Sequence, residues 1–219
     1  MGKPTSIPKP NFRNERNFAG ADCACVAGVD EAGRGPWAGP VVAAAVFFES
    51  SRAAPKGLND SKLLSADERA RLYDAIRKVA VVGVGMVEVD DIDSINILQA
   101  TFRAMREAVA ALRTVPATVL VDGNLCPPLP CRGVAVVDGD QLCPSISAAS
   151  IIAKVTRDRL MISLAQSFPG YSWETNKGYG TREHASAIVK LGVTPHHRRS
   201  FTPIKLALSG RADELTLER

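Results

Sequence analysis

Two acids, a guanidinium and two glycines fall within six residues at Asp30-Glu31-Ala32-Gly33-Arg34-Gly35. Asp122 ends an otherwise apolar run, Ala117 to Val121, and Asp140 follows a second such run, Val134 to Val137, after Asp138 and Gly139. If these carboxylates converge within about 6 Å, each pair repels by roughly 3 kcal/mol at an effective dielectric of 20. Such a cluster needs protons or cations. Oxygen donors without His or Cys suit Mg²⁺ or Mn²⁺ and do not suit zinc. Two such ions about 3.5–4 Å apart can activate a water and stabilise the leaving oxygen of a phosphodiester. Each acid also has a plainer reading as an N-cap or a surface turn, and Asp140, close behind Asp138, fits a solvated loop acid well. Asp122 fits it least, because an unpaired charge buried at the end of an apolar strand is very costly.

The elements that must position these groups can be read around them. Val26-Ala27-Gly28-Val29 and the run Val41 to Phe48 predict two strands joined through the charged hexapeptide. Successive strand residues face opposite ways, so Asp30 and Glu31 can serve one site only if the strand ends or bulges between them, a bend that Gly33 and Gly35 permit. Ser65-Ala66-Asp67-Glu68 is a capping box opening a helix that runs to Val79. Val79 to Val89, interrupted only by Gly83 and Gly85, predicts a third strand, and Asp90-Asp91-Ile92-Asp93 an acidic cap for the next helix. That helix carries Leu98, Phe102, Met105, Val109 and Leu112 as one apolar stripe. Residues 145–167 predict a long helix with Ile146, Ala149, Ile152, Ala153, Thr156, Leu160 and Leu164 inward. Asn176 to Thr181 is a glycine-flanked loop before a helix from Arg182 to Leu191. His196-His197-Arg198-Arg199 reads as a basic loop before a last short helix, since adjacent histidines without other spaced ligands do not make a metal site. Strands first, then helices alternating with strands, imply an α/β fold with a mixed sheet flanked by helices. Ligands in such sheets gather at the carboxyl ends of strands, and Asp30, Asp122 and Asp140 all fall at or just beyond predicted ends.

With 219 residues, 46% of them hydrophobic, the chain can bury the core of one domain of roughly 150–200 residues plus tails. Its net charge of +4 is compatible with a polyanionic partner without requiring one. Five cysteines with no Cys-x-x-Cys pair support neither a disulfide framework nor a zinc site. No apolar run reaches membrane-spanning length and no signal-peptide core is present, so a cytoplasmic protein is expected. Met1 to Ser6 fits the loose myristoylation pattern, which so short a motif often meets by chance. Residues 1–24 read as a mobile basic arm, 25–208 as the folded domain and 209–219 as a frayed tail.

Several ordered motifs together resemble one family. Asp30 to Pro36 followed by Ala38 to Ala44, Asp60-Ser61-Lys62-Leu63, Val121-Asp122-Gly123, Gly139-Asp140 ahead of Ser147 to Asp158, and Lys177-Gly178-Tyr179-Gly180-Thr181 with His184 look like ribonuclease HII. The resemblance covers about residues 25 to 208. It implies a ribonuclease H-like mixed sheet with a helical C-terminal portion, Mn²⁺ or Mg²⁺ dependence with two ions in the active complex, and a monomer. It also implies endonucleolytic cleavage of RNA in RNA/DNA hybrids and at single ribonucleotides in duplex DNA, leaving 5′-phosphate and 3′-hydroxyl ends. Matched residue by residue, the family's catalytic acids fall on Asp30, Glu31, Asp122 and Asp140. Gly33, Arg34 and Gly35 match the element that reads the ribose 2′-hydroxyl through backbone groups, and Tyr179 matches the aromatic that packs on the adjacent deoxyribose. By charge, Lys62, Lys154 and Arg157 are candidate phosphate contacts, Arg157 fitting a solvated helix face equally well. A DNA nuclease or resolvase with the same clustered acids is the competing reading. The long arm before residue 25 and the loop between Cys126 and Cys131 depart from the family's pattern.

Overall fold

Five strands form the frame: β1 (Val26–Ala32), β2 (Val41–Phe47), β3 (Val81–Val87), β4 (Thr118–Asp122) and β5 (Arg132–Val136). Their order across the sheet is β3-β2-β1-β4-β5, antiparallel on the β1–β2–β3 side and parallel from β1 through β4 to β5. The computed structural model describes residues 9–19 and 25–215. The Met1–Ser6 motif, the other residues of the expected arm outside 9–19, and the last four residues of the expected tail lie outside the described residues.

Small residues let helices close on both faces. The run Ala43-Ala44-Ala45 in β2 is fully buried. On one face, helix α4 (Ile97–Ala110) lies so close to β3 that a Cβ at Gly83 or Gly85 would stand 2.1 Å from the carbonyl oxygen of Ala108 or Ala104. The most buried line of α4 is therefore Ala100, Ala104 and Ala108 with Met105 and Val109, while Leu98 and Phe102 of the expected stripe sit at its margin. On the other face, helix α6 (Pro144–Ser167) packs over β1 and β2, and a Cβ at Gly28 would be 2.2 Å from the Ile146 backbone nitrogen. Residues 144–153 of α6 are buried all round, so that half has no single inner side. Beyond it the inner line is Arg157, Met161 and Ala165, displacing the expected Thr156, Leu160 and Leu164.

Helix α2 (Ala66–Val79) begins at Ser65 with both hydrogen bonds of the capping box. The acids at 90, 91 and 93 belong to a short helix of their own, α3 (Val89–Ile95), and Asn96 caps α4 by accepting from the Leu98 and Gln99 N–H groups. Asp93 accepts from the backbone of Arg199 and Ser200, tying α3 to the distant C-terminal portion.

Part of the expected mobile arm is folded. Helix α1 (Phe12–Ala19) places the buried Glu15 carboxylate 2.6 Å from the backbone N–H of Ser145, in the first turn of α6. That helix has no side-chain cap of its own, and a remote carboxylate satisfies a donor at the positive end of its dipole. After α6 come α7 (Trp173–Asn176), α8 (Arg182–Leu191) and α9 (Thr202–Leu208), gathered around Trp37, Met161 and Trp173. Residues Ala212–Glu214 of the expected frayed tail form a 3-10 turn, and Leu215 packs against that cluster.

Candidate active site

β4 pairs with β1 only as far as Val29 opposite Val121, so the edge of β1 beyond Val29 is left open by its neighbour. Asp30 and Asp122 stand at that opening. Asp140 reaches it from the first turn of helix α5 (Gly139–Leu142), which follows β5 immediately. Carboxylate oxygens of Asp30, Asp122 and Asp140 all lie within 4.8 Å of one another. Contrary to the expectation from strand alternation, β1 neither ends nor bulges between Asp30 and Glu31. Both remain paired with β2, opposite Ala44 and Ala43; Glu31 lines the same cleft as Asp30 and Asp122 but lies outside the cluster of three carboxylates. Its carboxylate is turned to Arg34, with Glu31 Oε1 3.3 Å from Nη1.

Crowding raises the affinity of these acids for protons. Burial, then the charges of Glu31 and Asp122, push Asp30 well above the ordinary carboxylate range. Burial and the neighbouring Asp122 and Asp60 raise Asp140 to about 7. Asp122 is raised by burial against the opposing pull of the Asp140 and Gly139 backbone N–H groups, and Glu31 by burial against the pull of Arg34. Crowded acids that disfavour ionisation can accept a hard cation in place of protons. The oxygen-only donor set and the short oxygen–oxygen distances fit a divalent ion of the Mg²⁺ or Mn²⁺ class, with Asp30, Asp122 and Asp140 as its holders.

One cleft of about 280 Å³ collects every expected site residue except Asp140, which is buried. Asp30, Glu31 and Asp122 line it together with Gly33, Arg34 and Gly35, and Lys62, Lys154 and Tyr179 complete the wall. Burial pulls the Lys62 ammonium down, yet Asp60, Asp140, Asp30 and Asp122 together hold it above its ordinary value. Lys154 is paired with Asp158 at 2.9 Å. Tyr179 is 45% exposed, and a Cβ on Gly35 would meet its ring edge at 3.6 Å, so the tyrosine stands directly beside the glycine turn.

Arg157 is neither a phosphate contact nor a solvated residue. It is buried, with its guanidinium donating to the carbonyls of Pro40, Lys177 and Ala38. The expected basic loop at 196–199 is likewise half internal. His197 and Arg198 are fully buried, and Arg198 donates to the carbonyls of Gly33, Arg34, Gly39 and Pro40. Charge alone could not reveal this, since an arginine that serves backbone carbonyls has the same sequence signature as one at the surface.

A sequence model of the family described as Ribonuclease HII matches residues 27–204. The chain belongs to the ribonuclease HII family. The ribonuclease HII of Rhodospirillum rubrum is 57% identical over 208 residues, covering 93% of this chain and 94% of that one. Among solved structures, ribonuclease H2 from Pyrococcus horikoshii superposes with a TM-score of 0.69 at 27% identity, covering 86% of this chain and 99% of that one. Bst-RNase HIII in complex with Mn²⁺, at 19% identity and a TM-score of 0.67, covers 96% of this chain and 77% of that one and shares the fold. Membership of the ribonuclease HII family makes the chain a metal-dependent endoribonuclease that hydrolyses the RNA strand of RNA/DNA hybrids. No helix among the described residues is long and apolar enough to cross a membrane.

Proposed function

We propose that this ribonuclease HII also incises duplex DNA at single embedded ribonucleotides, with Asp30, Glu31, Asp122 and Asp140 holding two divalent ions. The observation that carries this reading is the juxtaposition in one cleft of the carboxylate cluster with the Gly33–Gly35 turn and the Tyr179 ring. The acids mark where phosphorus is attacked. The turn and the ring, side by side, suit a boundary where a ribose meets a deoxyribose.

Divalent ions held by these carboxylates would supply Lewis acidity for activating water and for stabilising charge on the leaving oxygen. The protein's own groups do the rest. Asp30, Asp122 and Asp140 are already gathered with oxygens within 4.8 Å of one another, a preorganised arrangement of the kind electrostatic catalysis uses. Backbone donors of the glycine turn approach the ribose 2′-hydroxyl closely because no Cβ intervenes. Tyr179 packs on the next sugar, where a second 2′-hydroxyl would be crowded. Lys62 and Lys154 contact phosphates and fix register. Attack by water, with the 2′-hydroxyl read and left unreacted, leaves 5′-phosphate and 3′-hydroxyl ends. The cleft is lined by one chain, which supports a monomer, and we place the enzyme in the cytoplasm.

The test is a DNA duplex with one ribonucleotide, incubated with Mn²⁺ beside an all-DNA control. Incision at the ribonucleotide alone is expected, and Asp122→Asn should abolish it while retaining hybrid binding. Equal cutting of the all-DNA control would transfer the site to a DNA nuclease or resolvase.

A further inference from the structure

The segment His196–Arg198 touches both parts of the cleft wall that face a ribose–deoxyribose boundary. It runs antiparallel beside Trp37–Gly39: Ala38 bridges His197, the Arg198 N–H donates to the Trp37 carbonyl at 2.8 Å, and the Gly39 N–H to the His196 carbonyl at 2.8 Å. From this short ladder the two buried side chains reach different loops.

Arg198 grips the glycine turn. Its guanidinium lies 2.5 Å from the Gly33 carbonyl and 2.9 Å from that of Arg34. In a trans peptide the N–H points opposite to the C=O. With both carbonyls drawn to Arg198, the N–H groups of Arg34 and Gly35 point away from it; both residues line the cleft, and neither N–H has a protein acceptor among the described residues. Arg157 supports the same turn from below, and a Cβ on Gly33 would fall 2.0 Å from its Nε. Neither guanidinium has a salt-bridge partner among the described residues. Two like charges buried together without a carboxylate partner do not favour folding.

His197 grips the tyrosine loop through His184. The Thr194 N–H donates to His197 Nδ1 at 2.9 Å, so that nitrogen carries no proton and Nε2 must. His197 Nε2–H then donates to His184 Nε2 at 3.0 Å, an atom that also accepts from Trp173 Nε1–H at 3.1 Å. That leaves the His184 proton on Nδ1, 2.8 Å from the Tyr179 carbonyl. Each bond fixes the tautomer of the next, and the chain ends on the backbone of Tyr179.

We propose that His197 and Arg198 are positioning residues that together set the gap between the Gly33–Gly35 turn and Tyr179, and through it the preference for an isolated ribonucleotide over continuous RNA. The inference rests on the junction-reading role proposed above. Neither residue touches substrate. They act on opposite sides of a single slot, from adjacent positions of one rigid bridge.

The test measures kcat/KM on a duplex with one ribonucleotide and on a continuous RNA/DNA hybrid, together with thermal melting, for His197→Ala, His197→Gln and Arg198→Lys. Misplacement on the order of 1 Å can cost a hundredfold in rate, so a partial loosening should lower the single-ribonucleotide to hybrid ratio by about tenfold in His197→Ala and Arg198→Lys. The loss should appear in kcat, with KM within about twofold of wild type. His197→Gln, whose amide can still donate to His184, should recover most of the ratio. Should His197→Ala fail to fold, the contrast between Arg198→Lys, which loses the forked grip, and His197→Gln carries the test. A parallel fall on both substrates, leaving the ratio at the wild-type value, would overturn the inference while leaving the junction reading intact. Failure of the wild type to incise at a single ribonucleotide would overturn both.

Discussion

Tyr179 is the residue whose side chain can be removed with the least disturbance elsewhere. It is 45% exposed with its ring edge facing Gly35, whereas its backbone is docked beside the Gly178 carbonyl, which accepts from the Trp37 N–H at 2.8 Å. Tyr179→Ala should therefore leave melting nearly unchanged. It should slow cleavage at a single ribonucleotide by about tenfold, the scale expected when a positioning contact is lost, with hybrid affinity changed far less. Equal rates for mutant and wild type on that substrate would remove Tyr179 from the site. The residue types of the site were legible because they violate expectation locally: an acid ending an apolar run at Asp122, or three charges among glycines at 30–35. Arg198 and His197 were not, because nothing near them in sequence distinguishes a buried side chain from a solvated one. Only the approach of the Trp37–Gly39 segment, far away along the chain, decides it.

At the scale of elements, what could be read depended on whether the governing contact was local. The extents of α2, α8 and, to within a residue, β4 follow from a capping box, a glycine-flanked loop ahead of a helical run and a short apolar run, all contained in or beside the segments themselves. Helix α1 depends instead on Glu15 meeting Ser145, 130 positions away, and its own composition of Asn, Arg and Phe suggested only an arm. The inner side of α6 was misjudged for a related reason. A helix surrounded on all sides over residues 144–153 leaves no polar stripe from which to infer a buried one. The role of α1 is testable. Glu15→Ala removes a carboxylate cap from a helix that carries Ser150, Lys154 and Arg157 into the cleft, and should lower unfolding stability by about 1 kcal/mol. Glu15→Gln, which keeps an acceptor oxygen and loses the charge, should cost less. An unshifted urea midpoint for Glu15→Ala would mean that Ser145 finds another acceptor and that α1 does not brace α6.

Over the whole molecule, two opposed sets of titrating groups shape stability against pH. His184 and His197 are held neutral by burial, His197 down to about 3, so their contribution is present above the ordinary histidine value of 6.5 and is lost as pH falls below it. The acids act in the other direction. Asp30, Asp122, Asp140 and Glu31 all bind protons more tightly folded than unfolded, so stability is greatest below their unfolded values and falls as pH rises, for Asp140 from 3.8 up to about 7. Without divalent ions the protein should thus melt highest in mildly acidic solution and lose stability at both ends. A bound ion replaces the protons of the carboxylates and leaves the histidines untouched, which separates the two sets. The rise in melting temperature on adding Mn²⁺ should be larger at pH 8 than at pH 5.5, where protons compete for the same oxygens. Asp122→Asn should shrink the rise and flatten its pH dependence. An equal rise at both pH values would mean that the ion binds somewhere other than this cluster, and the proposed metal site would have to be abandoned even if the enzyme remained active.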